Sequence, residues 1–356
     1  MSSNMYKEIF EQDKVFKRLI RKYIRNGRVD FGFTENVEFK LKNITRFTFL
    51  GCGSSYYADL LGNYYIEELA ELPCEFEFAD EFNFRKTVIE KNTGVVLISQ
   101  SGETRDIIMA GKKAKKNKAF VVGITNNPNS SLGKMADVVI DTCAGEEKAI
   151  AATKTFTSQL LVLLMMSLYV GRLKNENKKR LETIREIKEL SEKIKKIFAL
   201  ESEIKKMSKK YYKENDIIFL GRKFQFPIAM EGAHKTKETT YIHAEGYASE
   251  EFIHGPNAII DRKFLSIFLM PRDEMFRYNI NVLKKIKQAG SKIVIFTTEK
   301  NTELNKYSKD VIILPKANER VMPILSVISL QMLAYFIAIN KKIDVDKPRN
   351  LEKFIK

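Results

Sequence analysis

A chain of 356 residues is long enough for two domains of roughly 150 to 180 residues each. A hydrophobic content of 44 %, with 24 Phe and 14 Tyr, excludes a disordered polymer. The formal net charge of +16 raises nucleic acid as a partner, but the lysines are scattered along helical stretches such as "KKAKKNK" (112–118), "KNENKKR" (174–180) and "EKIKKIF" (192–198). No segment reads as a helix-turn-helix or an aromatic-studded RNA-binding strand, so a solvated basic surface that attracts anionic metabolites is expected, and no nucleic acid partner.

The N-terminal stretch "MSSNMYKEIFEQ" lacks a basic-then-apolar leader pattern, and residues 3–27 read as a helical extension. "RFTFLGCGSS" (46–55) is then a strand ending in Gly-x-Gly. It is followed by the strands "GVVLISQSGET" (94–104), "KAFVVGITN" (118–126) and "ADVVIDT" (136–142), and by an apolar helix from about Lys154 to Val170. Within that helix "QLLVLLMMSLYVG" (159–171) is too short to span a bilayer and reads as buried core, so no membrane partner is expected. Residues 174–215 carry Leu and Ile at helical spacing among Lys and Glu, and so form helices.

The second half repeats the grammar with "DIIFLGRK" (216–223), "FLSIFLMPRDE" (264–274), "KIVIFTTE" (292–299), "DVIILP" (310–315) and the apolar helix 321–339. Matching Gly51 to Gly221, Lys118 to Lys292 and Asp137 to Asp310 gives offsets of 170, 174 and 173, the mark of an internal duplication. The expected architecture is α/β, a tandem of two doubly wound parallel-sheet αβα sandwiches with helical extensions. The expected boundaries are 1–34 for the N-terminal extension, 35–173 and 216–340 for the two domains, 174–215 for the connector and 341–356 for a C-terminal tail. Cys52, Cys74 and Cys143 have no metal-like spacing, which fits reduced thiols and a cytoplasmic location, with no metal and no cofactor.

In open parallel sheets ligands sit beyond the carboxyl ends of the strands. There "GCGSS" and "SQSGET" offer hydroxyls from Ser99, Ser101 and Thr104, with Gly102 admitting close backbone approach ahead of a helix N-terminus. This suits a phosphomonoester; the loops lack both the G-x-x-x-x-G-K-[ST] of triphosphate binders and the G-x-G-x-x-G of dinucleotide binders. Residues 227–242, "PIAMEGAHKTKETTYI", open with Pro and read as a helix placing Glu231, Lys235 and Glu238 on one face.

"GCGSSYYA", "SQSGETRD", "CAGEEKAIAATKTFTSQL", "AMEGAHKTKETTYIHAEGY", "HGPNAIID" and "DVDKPRNLEK" together resemble the sugar isomerase (SIS) family, and within it the isomerase half of the glucosamine-6-phosphate synthases. The resemblance runs from Tyr6 to Lys353. It implies two SIS domains binding a hexose 6-phosphate or amino-sugar 6-phosphate, with Ser55, Ser99, Gln100, Ser101 and Thr104 around the phosphate. It further implies Gly53, Ile150, Ala152, Glu231 and Glu352 near the sugar. Moving a proton between C2 and C1 of an aldose takes one carboxylate, and opening the ring takes an acid/base near neutral pH. Glu238 and His254 match the family positions for those roles, with His254 lent by the second subunit of a homodimer. Lys353 matches the family's Schiff-base lysine and Lys235 a second active-site lysine. His234 and His243 have no counterpart and are expected to be packed or surface helix histidines.

The chain departs from the synthases at Ala152, which stands where they have a sugar-contacting serine, and at Glu250, Glu251 and Glu352, whose extra carboxylates suit a substrate bearing an ammonium group or form loop surface. No glutaminase domain is expected in the chain. The favoured reading is a glucosamine-6-phosphate deaminase/isomerase giving fructose 6-phosphate and ammonia. The alternatives are a fructoselysine-type 6-phosphate deglycase, an ammonia-dependent glucosamine-6-phosphate synthase working with a separate glutaminase, and a sugar-phosphate-sensing regulatory module.

Overall fold

The computed structural model describes residues 3–174 and 178–353; the outer ends of the expected 1–34 and 341–356 segments, and positions 175–177 of the expected connector, lie outside the described residues. The chain forms two compact units. One holds residues 14–147 and 154–189 with the tail from Glu352; the other holds the start of the chain to Asp13, residues 148–153 and residues 190–351.

The first unit is built on strands β1 (Arg46–Gly51), β2 (Cys74–Phe78), β3 (Thr93–Ser99), β4 (Phe120–Thr125) and β5 (Val138–Asp141). They lie in the order β2-β1-β3-β4-β5, all parallel, with Phe49 of β1 opposite Phe76 of β2 and Val96 of β3. Every residue of β3 is buried, as a central parallel strand covered on both faces requires. On one face Leu50, Val95, Leu97 and Val121 pack with Ile107 and Ala110 of helix α2 (Arg105–Lys116). On the other, helices α1 (Ser54–Ala70) and α3 (Lys154–Lys174) approach closely: a Cβ on Gly62 of α1 would stand 3.0 Å from Leu163 of α3 and 3.2 Å from Phe49.

The second unit repeats the plan. Strands β6 (Asp216–Gly221), β7 (His243–Ala248), β8 (Leu265–Leu269), β9 (Lys292–Thr297) and β10 (Val311–Ile313) are all parallel, in the order β7-β6-β8-β9-β10. Helices α4 (Phe226–Thr240) and α5 (Met322–Asn340) pack on one face, where a Cβ on Gly232 would fall 2.5 Å from Leu330. Identical strand order in both units is what an internal duplication produces. Helices α3 and α5 are long and apolar enough to cross a membrane by length and composition, but 89 % and 94 % of their most apolar windows are buried, so they serve as core helices here.

Each sheet has one strand more than the four expected. Both extra strands, β2 and β7, are edge strands with half-exposed residues, "CEFEF" and "HAEGYA". Buried on fewer sides, they lack the continuous apolar run that betrays a central strand. The N-terminal extension is helical at Asn4–Phe10 and Gln12–Tyr23 but not to residue 27: Ile24–Arg25 pairs with Arg28–Val29 in an antiparallel ribbon. Asn26 and Gly27 turn the chain there with φ of 49° and 74°, the backbone that an Asn-Gly hairpin turn demands.

One buried group stands out. Asp59 of α1 is fully buried and neither carboxyl oxygen has a hydrogen-bond partner. Burial pushes its carboxyl well above the usual range. The native state therefore holds a proton that the unfolded chain releases above its ordinary carboxylate range. The stability tied to Asp59 is complete at low pH and is lost as pH rises toward the native value. Asp59→Asn is expected to unfold at a higher temperature than the parent, with the gap widening from pH 4 upward; calorimetry that finds a pH-independent gap would show that Asp59 is not protonated in the fold.

Candidate active site

The order β2-β1-β3-β4-β5 reverses direction between β1 and β3, and this is where a doubly wound sheet opens a crevice at its carboxyl end. The two loops leaving β1 and β3 are the hydroxyl-rich ones. After β1 the chain turns so tightly into α1 that a Cβ on Gly51 would lie 2.7 Å from the backbone of Ser55. Gly53, at φ 55° and ψ −130°, caps the helix. Ser55 is in the first turn of α1 and its hydroxyl donates to Gln159 Oε1 of α3 at 3.3 Å.

The loop after β3 is held by its own polar groups. The Ser99 and Thr104 hydroxyls meet at 2.8 Å, and the Gly102 amide donates to Ser99 Oγ at 3.0 Å. The carbonyl of Gln100 accepts from the Asn126 amide at 3.1 Å. Gly102 has a φ of 70°, and a Cβ there would sit 1.9 Å from Ser130 Oγ. Thr104 occupies the N-cap of α2 but its side chain makes no capping bond; ordinary helix capping therefore does not account for that hydroxyl. Ser99 is buried, while Ser101 and Gln100 are half-buried.

The same unit carries Lys353. Its Nζ donates to Glu147 Oε2 at 3.1 Å, with the lysine side chain 19 % exposed and that of Glu147 fully buried. Glu147 also accepts from the Thr155 amide at 3.2 Å and the Thr155 hydroxyl at 2.6 Å, and so caps the first turn of α3 with a negative charge. Sequence reasoning did not single out Glu147; a carboxylate eight residues ahead of a helical Thr gave no local signal. Glu352 is exposed beside it.

In the other unit the expected face of α4 is present, and it is not a wet surface. Lys235 is 1 % exposed, with Nζ 2.6 Å from Glu238 Oε2 and 3.5 Å from Glu231 Oε1. Glu231 is fully buried and Glu238 is 19 % exposed. His234 is on the helix as expected, yet its Nε2 lies 3.2 Å from Glu238 Oε1. Burial alone would push the Glu238 carboxyl up, but Lys235 and His234 outweigh it and hold it at about 2. Glu238 and His234 line an open pocket of about 440 Å³, together with Tyr241, His243, Arg349 and Asn350. Arg349 lies 4.2 Å over the Tyr241 ring, and its amide donates to the Tyr241 hydroxyl at 2.8 Å.

His243 is a correction. It opens strand β7 rather than sitting on a helix, because Tyr241 adopts a left-handed φ of 58° and stops α4. His254 lies exposed on the short turn before Gly255, and it is not among the residues lining the Glu238 pocket. Ile150 and Ala152 are half-buried in the loop 148–153 of this unit. Glu8 holds that loop by accepting from the Lys148 amide at 2.5 Å, and Gln331 donates to the Thr153 carbonyl at 3.1 Å. Glu250 pairs with Arg222 at 3.0 Å, so one of the extra carboxylates is already engaged; Glu251 is exposed. Among the described residues no group of three His, Cys, Asp or Glu side chains is placed to hold a metal ion.

Two parallel αβα domains in tandem, the first with a hydroxyl-rich loop at its switch point, define a doubly wound α/β class of protein. The SIS domain profile matches residues 40–169 and 210–341. The chain belongs to the SIS domain family. It is 37 % identical over 99 % of its length to glutamine–fructose-6-phosphate aminotransferase [isomerizing] of Chlorobaculum tepidum, and 36 % identical to that of Clostridium tetani. It spans 58 % of the length of each of these relatives. Among solved structures, the C-terminal domain of glucosamine-fructose-6-phosphate aminotransferase from Francisella tularensis is 32 % identical, with a TM-score of 0.92 over 98 % of this chain and 99 % of that one. Glucosamine-6-phosphate deaminase from Thermotoga maritima shares the fold at 24 % identity, with a TM-score of 0.76 over 99 % of both chains.

The depressed Glu238 carboxyl makes a stability prediction. Its contribution is present above the unfolded value of about 4.5 and is lost as pH falls toward about 2. Glu238→Gln is expected to lose on the order of 3 kcal/mol at neutral pH and to converge on the parent in acid. Parallel denaturation curves at both pH values would show that the ion cluster does not carry this linkage.

Proposed function

We propose that the chain is a phosphosugar aldose–ketose isomerase acting on an amino-substituted hexose 6-phosphate, and that it converts glucosamine 6-phosphate and water to fructose 6-phosphate and ammonia. The observation that carries this reading is the Lys235–Glu238 pair: a carboxylate kept ionised by a buried ammonium, at the wall of an open pocket. Ionised, it is ready to accept a proton from carbon. The aminotransferase relatives, named for fructose 6-phosphate and for isomerising, support the same substrate class.

In this mechanism the 6-phosphate accepts hydrogen bonds from Ser55, Ser99, Gln100, Ser101 and Thr104, where an anion replaces the internal bonds the loop now makes with itself. His254 protonates the ring oxygen to open the sugar; its exposed position suits a histidine that serves a second copy of the chain. Glu238 takes the proton from C2 and returns it at C1 while O1 gains a proton and the 2-amine gives one up, which turns the 2-amino aldose into a 1-hydroxy-2-imino compound. The Lys353 amine, freed from Glu147, adds at C2 and displaces ammonia. Hydrolysis of the resulting Schiff base then releases fructose 6-phosphate and restores the lysine. With ammonia in excess the same steps run toward glucosamine 6-phosphate.

The test is purified protein with glucosamine 6-phosphate and, separately, fructoselysine 6-phosphate, assaying ammonia, fructose 6-phosphate, glucose 6-phosphate and lysine. Ammonia with fructose 6-phosphate from the first is expected; glucose 6-phosphate with lysine from the second would replace the reading by the deglycase. Glu238→Gln is expected to lower kcat by about 1,000-fold or more with little change in substrate binding, since only the proton shuttle is removed. Lys353→Ala is expected to be severe for ammonia release, and a mild effect would remove the Schiff base from the scheme. Gly102→Ala, with its Cβ against Ser130, is expected to raise KM far more than it lowers kcat; an unchanged KM would move the phosphate elsewhere.

A further inference from the structure

The contact of His234 with Glu238 is left unused by the mechanism above. Both carboxyl oxygens of Glu238 are engaged: Oε2 by Lys235 at 2.6 Å and Oε1 by His234 Nε2 at 3.2 Å. The two partners differ in kind. Lys235 is buried, bridges to Glu231 as well, and is a fixed positive charge; His234 is 25 % exposed on the pocket side of the helix. Imidazole is the side chain whose charge changes in the pH range where most enzymes work. A charged imidazolium donates a charge-assisted hydrogen bond to a carboxylate, while the neutral ring donates a weaker one. The spacing of four residues along α4 places the ring beside the carboxylate without any rearrangement of backbone.

We propose that His234 is a positioning residue that sets the basicity of Glu238. When protonated it clamps Oε1 and makes the carboxylate a poor base, and when it loses that proton it releases the oxygen to shuttle hydrogen between C1 and C2. The proposal rests on the reading of Glu238 as the isomerisation base. The other charged groups that face this pair are Lys235, Glu231 and Lys237 on α4, His243 at the start of β7, and Arg349 from the C-terminal stretch. His243, held by Asp216 at 2.9 Å and facing Glu245 at 3.8 Å, is the second imidazole among the described residues lining this pocket and the necessary control.

The experiment is the pH profile of kcat/KM for glucosamine 6-phosphate between about pH 5 and pH 9, for the parent, His234→Gln, His243→Gln and Glu238→Gln. The parent is expected to lose activity on the acid side as His234 gains its proton. His234→Gln is expected to keep that activity, so that its rate at low pH relative to high pH exceeds the parent's by about five- to tenfold, the difference between a charge-assisted and a neutral hydrogen bond. His243→Gln is expected to leave the acid limb in place. A His234→Gln profile that superimposes on the parent after scaling would overturn the proposal and leave His234 a packing residue. Activity retained by Glu238→Gln would instead sink the reading of the base itself. A readout without turnover closes the remaining route. The 13C shift of the Glu238 carboxyl is expected to show an imidazole step in the parent that vanishes in His234→Gln, and its persistence would overturn the coupling whatever the substrate.

Discussion

A lysine ammonium with 1 % of its side chain exposed has to be compensated on the spot, because no water reaches it. Lys235 is compensated by Glu231 one turn before and Glu238 one turn after, all on one face of α4. That requirement shapes what surrounds it. The helix must follow β6 closely, which Gly221 permits: a Cβ there would fall 2.1 Å from the Gln225 carbonyl oxygen. It must also press against α5 at Gly232. The outermost carboxylate of the cluster, Glu238, is then the one that reaches the pocket, and its charge is set by its partners before any substrate arrives.

The duplicated halves show how one fold is put to different uses. In both units the first strand ends at a glycine where the backbone folds back on itself, Gly51 and Gly221. In the first unit the following loops are small and hydroxylic, and their polar atoms bond to one another: Ser99 to Thr104, and Gly102 to Ser99. In the second the corresponding stretches, "GRKFQ" and "MPRDE", carry full charges. These are spent on internal ion pairs, Lys223 with Glu274 at 2.7 Å and with Glu319 at 2.8 Å. A loop whose bonds are neutral and short-ranged can exchange them for a phosphate, whereas one closed by its own salt bridges has less reason to.

Sequence patterns and tertiary contacts contributed different things. The central strands β1, β3, β4, β6, β8 and β9 were legible because burial on both faces forces unbroken apolar runs. Core helices α3 and α5 were legible for the same reason. The edge strands β2 and β7 were not, since half-exposed positions alternate in polarity and carry no run. The hairpin at Asn26–Gly27 carried a turn signal that a helical reading of residues 3–27 overrode.

At the site, the sequence determined which chemistry is available: hydroxyls and glycines after β1 and β3, and carboxylates and a lysine at helical spacing on α4. Those assignments depend only on residue type and local periodicity. What the tertiary structure decided is which partners each group has. Helical spacing is the same for a solvated Glu–Lys pair as for a buried one, so only packing against the sheet and α5 could show that Lys235 is out of water. His234 carried no family counterpart, and its place beside Glu238 became visible only once the pocket wall was drawn. Glu147 and Lys353 are 206 positions apart in the chain. No local pattern can couple two charges at that separation, because their meeting depends on the folded path of everything between them.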